Sequence, residues 1–168
     1  MSRLIHILNA VKITTAKLQI TPSQLAAYQA VSDALHRYGQ CNLHSTVACG
    51  KTFLGWHIAR ESGGVYLTSP SLLETTRPQP LGIVIDNASE HRDDYRRTLA
   101  IVQVRRSFPL LTISRLPVEE DMPQVLLGFV PDDLDTVIRN LRQMGFNVLN
   151  DTYADFWEVM VKTAGGLS

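Results

Sequence analysis

The residues Gly50, Lys51 and Thr52 have types and an order that could bind phosphate. They match the end of the phosphate-loop pattern G-x-x-x-x-G-K-[ST], in which backbone amides surround the phosphates. The lysine of that pattern reaches the terminal phosphates and the hydroxyl holds Mg²⁺. Ser45 stands where the pattern has its first glycine, and a serine with positive φ there costs roughly 1 kcal/mol. The stretch predicts a phosphate site, with a plain strand-to-helix turn as the alternative.

A second feature, an aspartate at the end of a predicted strand, lies further along the chain. Leu81 to Ile85 is an apolar, β-branched run that stops at Asp86, which is typical of a buried parallel strand. In nucleotide hydrolases such a carboxylate lies across from the loop threonine and orients the Mg²⁺ shell. Asp86 could instead be the N-cap of the next turn, but its combination with Gly50-Lys51-Thr52 favours nucleotide binding.

The two cysteines raise the question of metal or redox chemistry. Cys41 and Cys49, with His44 between them, match no common zinc spacing, and a structural zinc site needs four ligands. We expect two free thiols in a reducing cytosol. Because Cys49 precedes a predicted helix N-terminus and a lysine, its thiol is expected to have a lowered pKa. A small loop residue without a redox role is the alternative.

Alternating strands and helices must position these residues. Thr21-Pro22-Ser23-Gln24 predicts a capped helix start, and Gly39 predicts its end near Tyr38. The predicted strands are 42–47, 65–68, 81–85, 110–114 and 125–129, and the predicted later helices are 51–61, 89–107, 132–144 and 153–162. This order predicts an α/β domain with a mainly parallel five-stranded sheet. We divide the chain into an N-terminal arm or helix (1–20), a core (21–150) and a C-terminal amphipathic helix and tail (151–168).

Three stretches resemble motifs of P-loop NTPases, most closely the AAA+ and signal-transduction (STAND, NB-ARC-like) ATPases. Leu81 to Arg97, LGIVIDNASEHRDDYRR, is similar to the second phosphate-site motif. Leu110 to Arg115, LLTISR, resembles the sensor strand, and Val125 to Leu134, VLLGFVPDDL, resembles the strand and acidic helix start that follow. The resemblance covers roughly residues 20 to 145 and implies a three-layer P-loop NTPase-like domain that binds ATP and Mg²⁺.

The resemblance assigns roles to particular residues. The implied nucleotide-binding residues are Ser45, Cys49, Gly50, Lys51, Thr52 and Phe53. Lys51 would bind phosphate, Thr52 and Asp86 would hold Mg²⁺, and Arg115 would sense the γ-phosphate. Lys51, Asp86, Arg115 and Glu90 are therefore the candidate catalytic residues.

The sequence also departs from the pattern of these ATPases. Asn87 stands where many of them keep a glutamate that activates water, and an asparagine cannot be a general base at neutral pH. Glu90 is the nearest acidic alternative. One helix from Asp132 and a short tail make at most a reduced lid. We expect ATP binding with slow hydrolysis at most, as a nucleotide-dependent switch or a subunit of an assembly. The alternatives are a nucleotide-free pseudo-ATPase and a DNA-associated ATPase subunit of a mobile-element or defence system.

Two surfaces could contact partners. Arg92, Arg96 and Arg97 could form a basic face for nucleic acid, or an ordinary solvated face diluted by nearby aspartates. The tail TYADFWEVMVK could place Tyr153, Phe156, Trp157, Met160 and Val161 on one helical stripe, which would either dock onto the sheet edge or form a protein or homo-oligomer interface. Trp56 is interpreted as a core or interface residue rather than a base-stacking platform.

Composition limits the remaining classes. The chain has 168 residues, 45% of them hydrophobic, and a formal net charge of zero, so one globular domain is expected and no overall attraction to nucleic acid or acidic membranes. No apolar run is long enough to span a membrane. We therefore expect a cytoplasmic protein.

Overall fold

The computed structural model describes residues 3–46, 48–69, 72, 82–86, 100, 109–118 and 121–165. Its α-helices are α1 (Arg3–Thr14), α2 (Pro22–Tyr38), α3 (Lys51–Ser62), α4 (Asp132–Gln143) and α5 (Phe156–Thr163), and a short 3-10 helix (Thr15–Lys17) follows α1. Its strands are β1 (Gln40–His44), β2 (Val65–Leu67), β3 (Ile83–Ile85), β4 (Leu110–Ser114) and β5 (Gln124–Leu126).

The strands form one five-stranded sheet in the order β2-β3-β4-β1-β5, and every described pair is parallel. The predicted α/β fold with a parallel five-stranded sheet is therefore confirmed. Because β4 lies between β1 and β3, the chain segments that follow these three strands meet at one edge of the sheet. That edge brings the Gly50 loop, Asp86 and Arg115 into one region, as expected where the strand order reverses in an open α/β sheet.

The predicted start and end of α2 are both confirmed. The Thr21 hydroxyl accepts a hydrogen bond from the Gln24 amide at 3.2 Å, and the Thr21 amide donates to Gln24 Oε1 at 3.0 Å. Pro22 takes the first helical position, and Gly39 ends the helix with φ +73°. This capping box holds Gln24 almost fully buried, facing the loop after β1.

Helices α2 and α3 pack side by side on one face of the sheet. Their buried apolar residues join those of the central strands in one cluster: Ala27, Val31, Ala34, Cys41, Leu43, Leu54, Ile58, Ala59, Val84, Leu111 and Ile113. The opposite face carries a second cluster: Leu67, Ile83, Ile85, Leu110 and Met122. The helix predicted for 89–107 lies almost entirely outside the described residues, so the third layer of the fold stays a prediction there.

Helices α1, α4 and α5 form a third apolar cluster beside the sheet. The C-terminal helix therefore docks on α1 and α4, and the predicted docking onto the sheet edge is wrong. The predicted aromatic stripe is also partly wrong. Tyr153 precedes the helix, which begins after the N-cap Asp155, and Phe156 and Val159 are buried while Trp157 is 51% exposed.

A buried group of polar side chains, here called the polar seam, joins β4, β1 and β5. Asn42 Nδ2 donates to Ser114 Oγ at 3.0 Å and to Gln124 Oε1 at 2.8 Å. The Thr112 hydroxyl donates to Asn42 Oδ1 at 2.8 Å. Asn42 and Thr112 have no exposed surface. Since a one-residue slip would break all of these bonds, the polar seam fixes the register of the three strands.

Asp133 at the start of α4 connects this helix to α2. Its carboxylate accepts from the Ser23 amide at 3.0 Å and from the Val130 amide at 2.9 Å, and the residue is fully buried. The Val130 bond lies within the start of α4, and the Ser23 bond ties the N-termini of the two helices together.

Some element boundaries differ from those predicted. The first strand was expected over 42–47 and lies at Gln40–His44, and the fifth was expected over 125–129 and lies at Gln124–Leu126. After the fifth strand, Leu127 and Phe129 still pack against the core although the backbone has left the sheet. Within the described part of the chain, no helix combines the length and apolarity needed to cross a membrane.

Candidate functional site

The loop between β1 and α3 leads directly into a helix N-terminus. Gly50 is the N-cap of α3 with φ +82° and ψ +34°, a left-handed conformation that suits glycine. Among the described residues, no side chain caps this helix end. The positive end of the α3 dipole therefore faces the loop, which is the arrangement that binds anions such as phosphate. Ser45, where a glycine was expected, is buried.

The Lys51 side chain reaches back to the loop that precedes α3. Its Nζ donates to the Ser45 carbonyl at 2.6 Å. Burial lowers the pKa of Lys51, the nearby Asp86 carboxylate opposes this shift, and the Arg115 charge adds to it. Lys51 thus places a half-buried cation against the loop, next to the N-terminus of α3.

Thr52 and Asp86 meet as the two sequence motifs predicted. The Thr52 hydroxyl donates to Asp86 Oδ2 at 2.7 Å, joining the first turn of α3 to the end of β3. Asp86 is only 6% exposed, and its amide donates to the Leu67 carbonyl of β2 at 2.9 Å. A hydroxyl and a carboxylate side by side are the oxygen ligands that Mg²⁺ prefers, so this pair fits a magnesium site.

Tyr66 is a member of this site that the sequence reasoning missed. Its hydroxyl donates to the same Asp86 oxygen that accepts from Thr52. Burial raises the pKa of Tyr66 and the Asp86 charge raises it further, so the phenol remains a donor. A tyrosine within the apolar run Val65-Tyr66-Leu67 was the available signal, because its buried hydroxyl needs a partner.

The prediction for the Cys49 thiol is wrong. Burial raises the pKa of Cys49, and this outweighs the opposing effects of Ser45 and Lys51. The thiol is 1% exposed and donates to Ser45 Oγ at 3.2 Å. Cys49 is therefore a packed loop residue. Among the described residues, no group of three or more His, Cys, Asp and Glu side chains could hold a metal ion.

Two residues far away in the chain support the loop, and neither was assigned to the site from sequence. Gln24 Nε2 donates to the Cys49 and Gly50 carbonyls at 3.3 and 3.4 Å. The Phe156 amide at the start of α5 donates to the Ala48 carbonyl at 3.0 Å. The loop therefore rests between the N-termini of α2 and α5.

A cavity of about 530 Å³ opens beside the loop. Helices α1, α3, α4 and α5 form its mostly apolar walls, and Gly50, Lys51 and Thr52 lie at one side. Phe53 and Trp56 of α3 line it, and Lys12 Nζ lies 5.7 Å from the centre of the Trp56 ring. Trp56 also packs edge-on against Tyr66 at 6.1 Å, so it is both a packing residue and part of the cavity wall. A ligand with an anionic end and a flat apolar end matches this shape.

The remaining predicted site residues are only partly described. Arg115 follows β4, is exposed, and lies close enough to influence Lys51. Glu90 and the arginines Arg92, Arg96 and Arg97 lie outside the described residues. Their predicted roles stay predictions.

Among the comparisons with known proteins, those with solved structures found similarities, and these concern the fold. No protein-family model matches the sequence, and no curated protein matches it. Solved structures that are similar to this chain include a DNA replication initiation factor (12% identity, TM-score 0.54), the replication initiator DnaA bound to AMPPCP and single-stranded DNA (12%, 0.52), and AMPPCP-bound DnaA from Aquifex aeolicus (14%, 0.50). They cover 81%, 81% and 82% of this chain, which spans 56% of the length of each.

These similarities concern the backbone, since identity is low throughout. The finer resemblance to signal-transduction ATPases is not tested by them and stays a prediction. The chain therefore has an α/β fold similar to that of these replication initiators.

Proposed function

We propose that this chain binds ATP with Mg²⁺ at the loop formed by Ser45 to Thr52. The observation that carries the proposal is the 2.7 Å contact between the Thr52 hydroxyl and Asp86. It joins two motifs that are separate in sequence, beside the N-terminus of α3 and Lys51. The similar DnaA structures contain the nucleotide analogue AMPPCP, which supports the same ligand class here.

The residues would divide the work by their chemistry. Lys51 would leave the Ser45 carbonyl and bind the phosphates, and the α3 N-terminus would receive the same anion. Thr52 and Asp86 would hold the cation, and bound Mg²⁺ would neutralise charge on the phosphate oxygens. Arg115 would approach the terminal phosphate from the end of β4. Phe53 and the cavity beside it would take the base and ribose.

Hydrolysis, if it occurs, would be slow. Asn87 stands at the position of the usual general base, and an amide cannot accept a proton at neutral pH. Glu90 is the candidate substitute. We therefore propose binding as the main activity of the site and leave the chain's status as an ATPase to turnover assays.

The C-terminal helix α5 would couple nucleotide binding to the binding of a partner. The Phe156 amide bonds to the loop carbonyl of Ala48, and Trp157 next to it is half exposed. A phosphate that reshapes the loop would disturb this contact and shift α5. This is the basis for a nucleotide-dependent switch or assembly subunit, with α5 as the output surface.

A pseudo-ATPase is the second candidate, and a specific observation favours it. The loop is already satisfied internally, because Lys51 bonds to the Ser45 carbonyl and Phe156 to the Ala48 carbonyl. Phosphate must compete with both contacts. In this case α5 and the apolar cavity would serve a protein partner without nucleotide.

A nucleic-acid role is a further proposal, made because one similar DnaA structure is bound to single-stranded DNA. In this chain the candidate contacts are Arg92, Arg96 and Arg97. DNA binding that weakens with salt and is lost on substitution of Arg92 and Arg96 would support it. Binding that is unchanged in that variant would exclude this arginine face.

The test of the main proposal is titration of a fluorescent ATP analogue with Mg²⁺ into wild type, Lys51→Ala and Lys17→Ala. Saturable binding lost only in Lys51→Ala is the expected result, since Lys17 is exposed and does not line the cavity. Tight binding that survives Lys51→Ala would place the nucleotide elsewhere. No binding by a folded, nucleotide-free wild type would leave the pseudo-ATPase.

A further inference from the structure

The Asp86 carboxylate accepts two hydroxyl donors on one oxygen. Thr52 donates to Oδ2 from the first turn of α3, and Tyr66 donates to the same atom from β2. These donors differ in origin. Thr52 belongs to the loop that would rearrange around phosphate, whereas Tyr66 belongs to the sheet.

The packing around Tyr66 leaves room for its hydroxyl to reach Asp86. Gly55 of α3 faces the ring, and a Cβ added there would lie 3.2 Å from Tyr66 Cε2 and 2.5 Å from Ile113 Cδ1. The absence of that Cβ leaves the space through which the ring passes between α3 and the sheet. In the parallel register Tyr66 pairs with Val84, two residues before Asp86, and the Trp56 ring packs against its edge.

An aspartate needs such an anchor at a cation site. The terminal torsion of its side chain is broad, so hydrogen bonds rather than rotamer preference set the plane of the carboxylate. Thr52 cannot set this plane independently, because its own oxygen is a proposed ligand of the cation. Tyr66 can, because it is held by the sheet and by Trp56.

We propose that Tyr66 is a positioning residue that holds the Asp86 carboxylate in the orientation that receives Mg²⁺ with nucleotide. This inference rests on the proposed function. Residues that orient a metal-binding group typically change metal affinity by about 10- to 100-fold when they are removed. Tyr66 acts through Asp86 and touches neither phosphate nor base in this scheme.

The test compares Tyr66→Phe with wild type and with Tyr28→Phe. Phenylalanine keeps the ring contacts and removes only the hydroxyl. Tyr28 is the control, because it is a tyrosine of α2 whose ring packs against His57 and not against Asp86. The measured quantities are the affinity for a fluorescent ATP analogue in EDTA and the Mg²⁺ concentration that gives half of the Mg²⁺-dependent gain in affinity.

For Tyr66→Phe we expect the half-saturating Mg²⁺ concentration to rise by about 10-fold, with the affinity in EDTA unchanged. Tyr28→Phe should match wild type in both. In an Asp86→Asn background, Tyr66→Phe should have no further effect on the Mg²⁺ response, because the group that it positions is gone.

Other outcomes overturn the inference. An unchanged Mg²⁺ response in a folded Tyr66→Phe protein means that the hydroxyl only satisfies a buried carboxylate. Equal weakening in EDTA and in Mg²⁺ means that the substitution damages the loop as a whole. If wild type binds no nucleotide at all, the proposed function fails and this inference fails with it. Normal wild-type binding with a normal Tyr66→Phe response removes this inference alone.

Discussion

Replacement of Gly50 by alanine tests the packing around the loop most directly. Gly50 has φ +82°, and a Cβ added there would lie 2.6 Å from Gln24 Nε2 and 3.0 Å from Phe156 Cδ2. Both neighbours hold the loop in place by hydrogen bonds. Alanine therefore meets an unfavourable backbone conformation and a steric conflict at the same position.

The size of the effect follows from these two contributions. A left-handed conformation costs an alanine about 1–2 kcal/mol. Displacement of the Gln24 amide gives up its bonds to the Cys49 and Gly50 carbonyls, at about 1 kcal/mol each. We expect Gly50→Ala to lower the free energy of unfolding by about 3 kcal/mol.

Alanine substitutions at two other glycines separate the conformational cost from the steric cost. Gly39 has φ +73° with no atom within 4 Å of an added Cβ, so Gly39→Ala carries the conformational cost alone, about 1 kcal/mol. Gly128 also has open space and no positive φ, so Gly128→Ala should change stability by less than about 0.5 kcal/mol. Urea denaturation of the three variants and wild type gives the comparison. A loss in Gly50→Ala no larger than in Gly39→Ala would refute the contacts of Gln24 and Phe156 with the loop.

Three further predictions concern buried polar groups. Asn42→Leu removes the centre of the polar seam and should destabilise the fold by about 2–4 kcal/mol in urea denaturation, because Thr112, Ser114 and Gln124 lose their bonds to Asn42. For Asp133, burial raises the pKa but backbone and side-chain donors lower it more. Its contribution to stability is therefore present at neutral pH, begins to fade below about pH 4 and is lost as the pH falls through the lowered folded-state pKa, so Asp133→Asn should be destabilised at pH 7 and its difference from wild type should shrink as the pH falls below 4. Cys49 should react slowly with iodoacetamide at pH 8 in the folded protein and quickly in urea, and equal rates would contradict its burial.

Local signals in the sequence determined most of the elements. The capping box at Thr21 and Gln24, the stop at Gly39 and the helix start at Lys51 are each decided by neighbouring residues, and all three were predicted correctly. The strand over Leu110–Ser114 was also predicted with its bounds. The ends of the first and fifth strands were missed, because residue types near a strand end do not reveal where the backbone leaves the sheet.

The pairing of Thr52 with Asp86 was predicted in part from the sequence and was decided in part by the tertiary structure. The chemistry of phosphate binding predicted that these residue types should meet, and the sequence supplied both at the ends of suitable elements. Their contact depends on β4 lying between β1 and β3, and strand order is not written in any local pattern.

Only the tertiary structure decided which other residues surround the site. The sequence determined a helix, a loop and an acidic strand end with the chemistry of a phosphate site. It did not show that Tyr66 bonds to Asp86, that Phe156 bonds to the loop, or that burial raises the pKa of Cys49. Local patterns depend on neighbours within a few residues, whereas these contacts join segments far apart in the chain. Burial and partner choice belong to the packed fold, so they became visible only when the strands and helices were placed together.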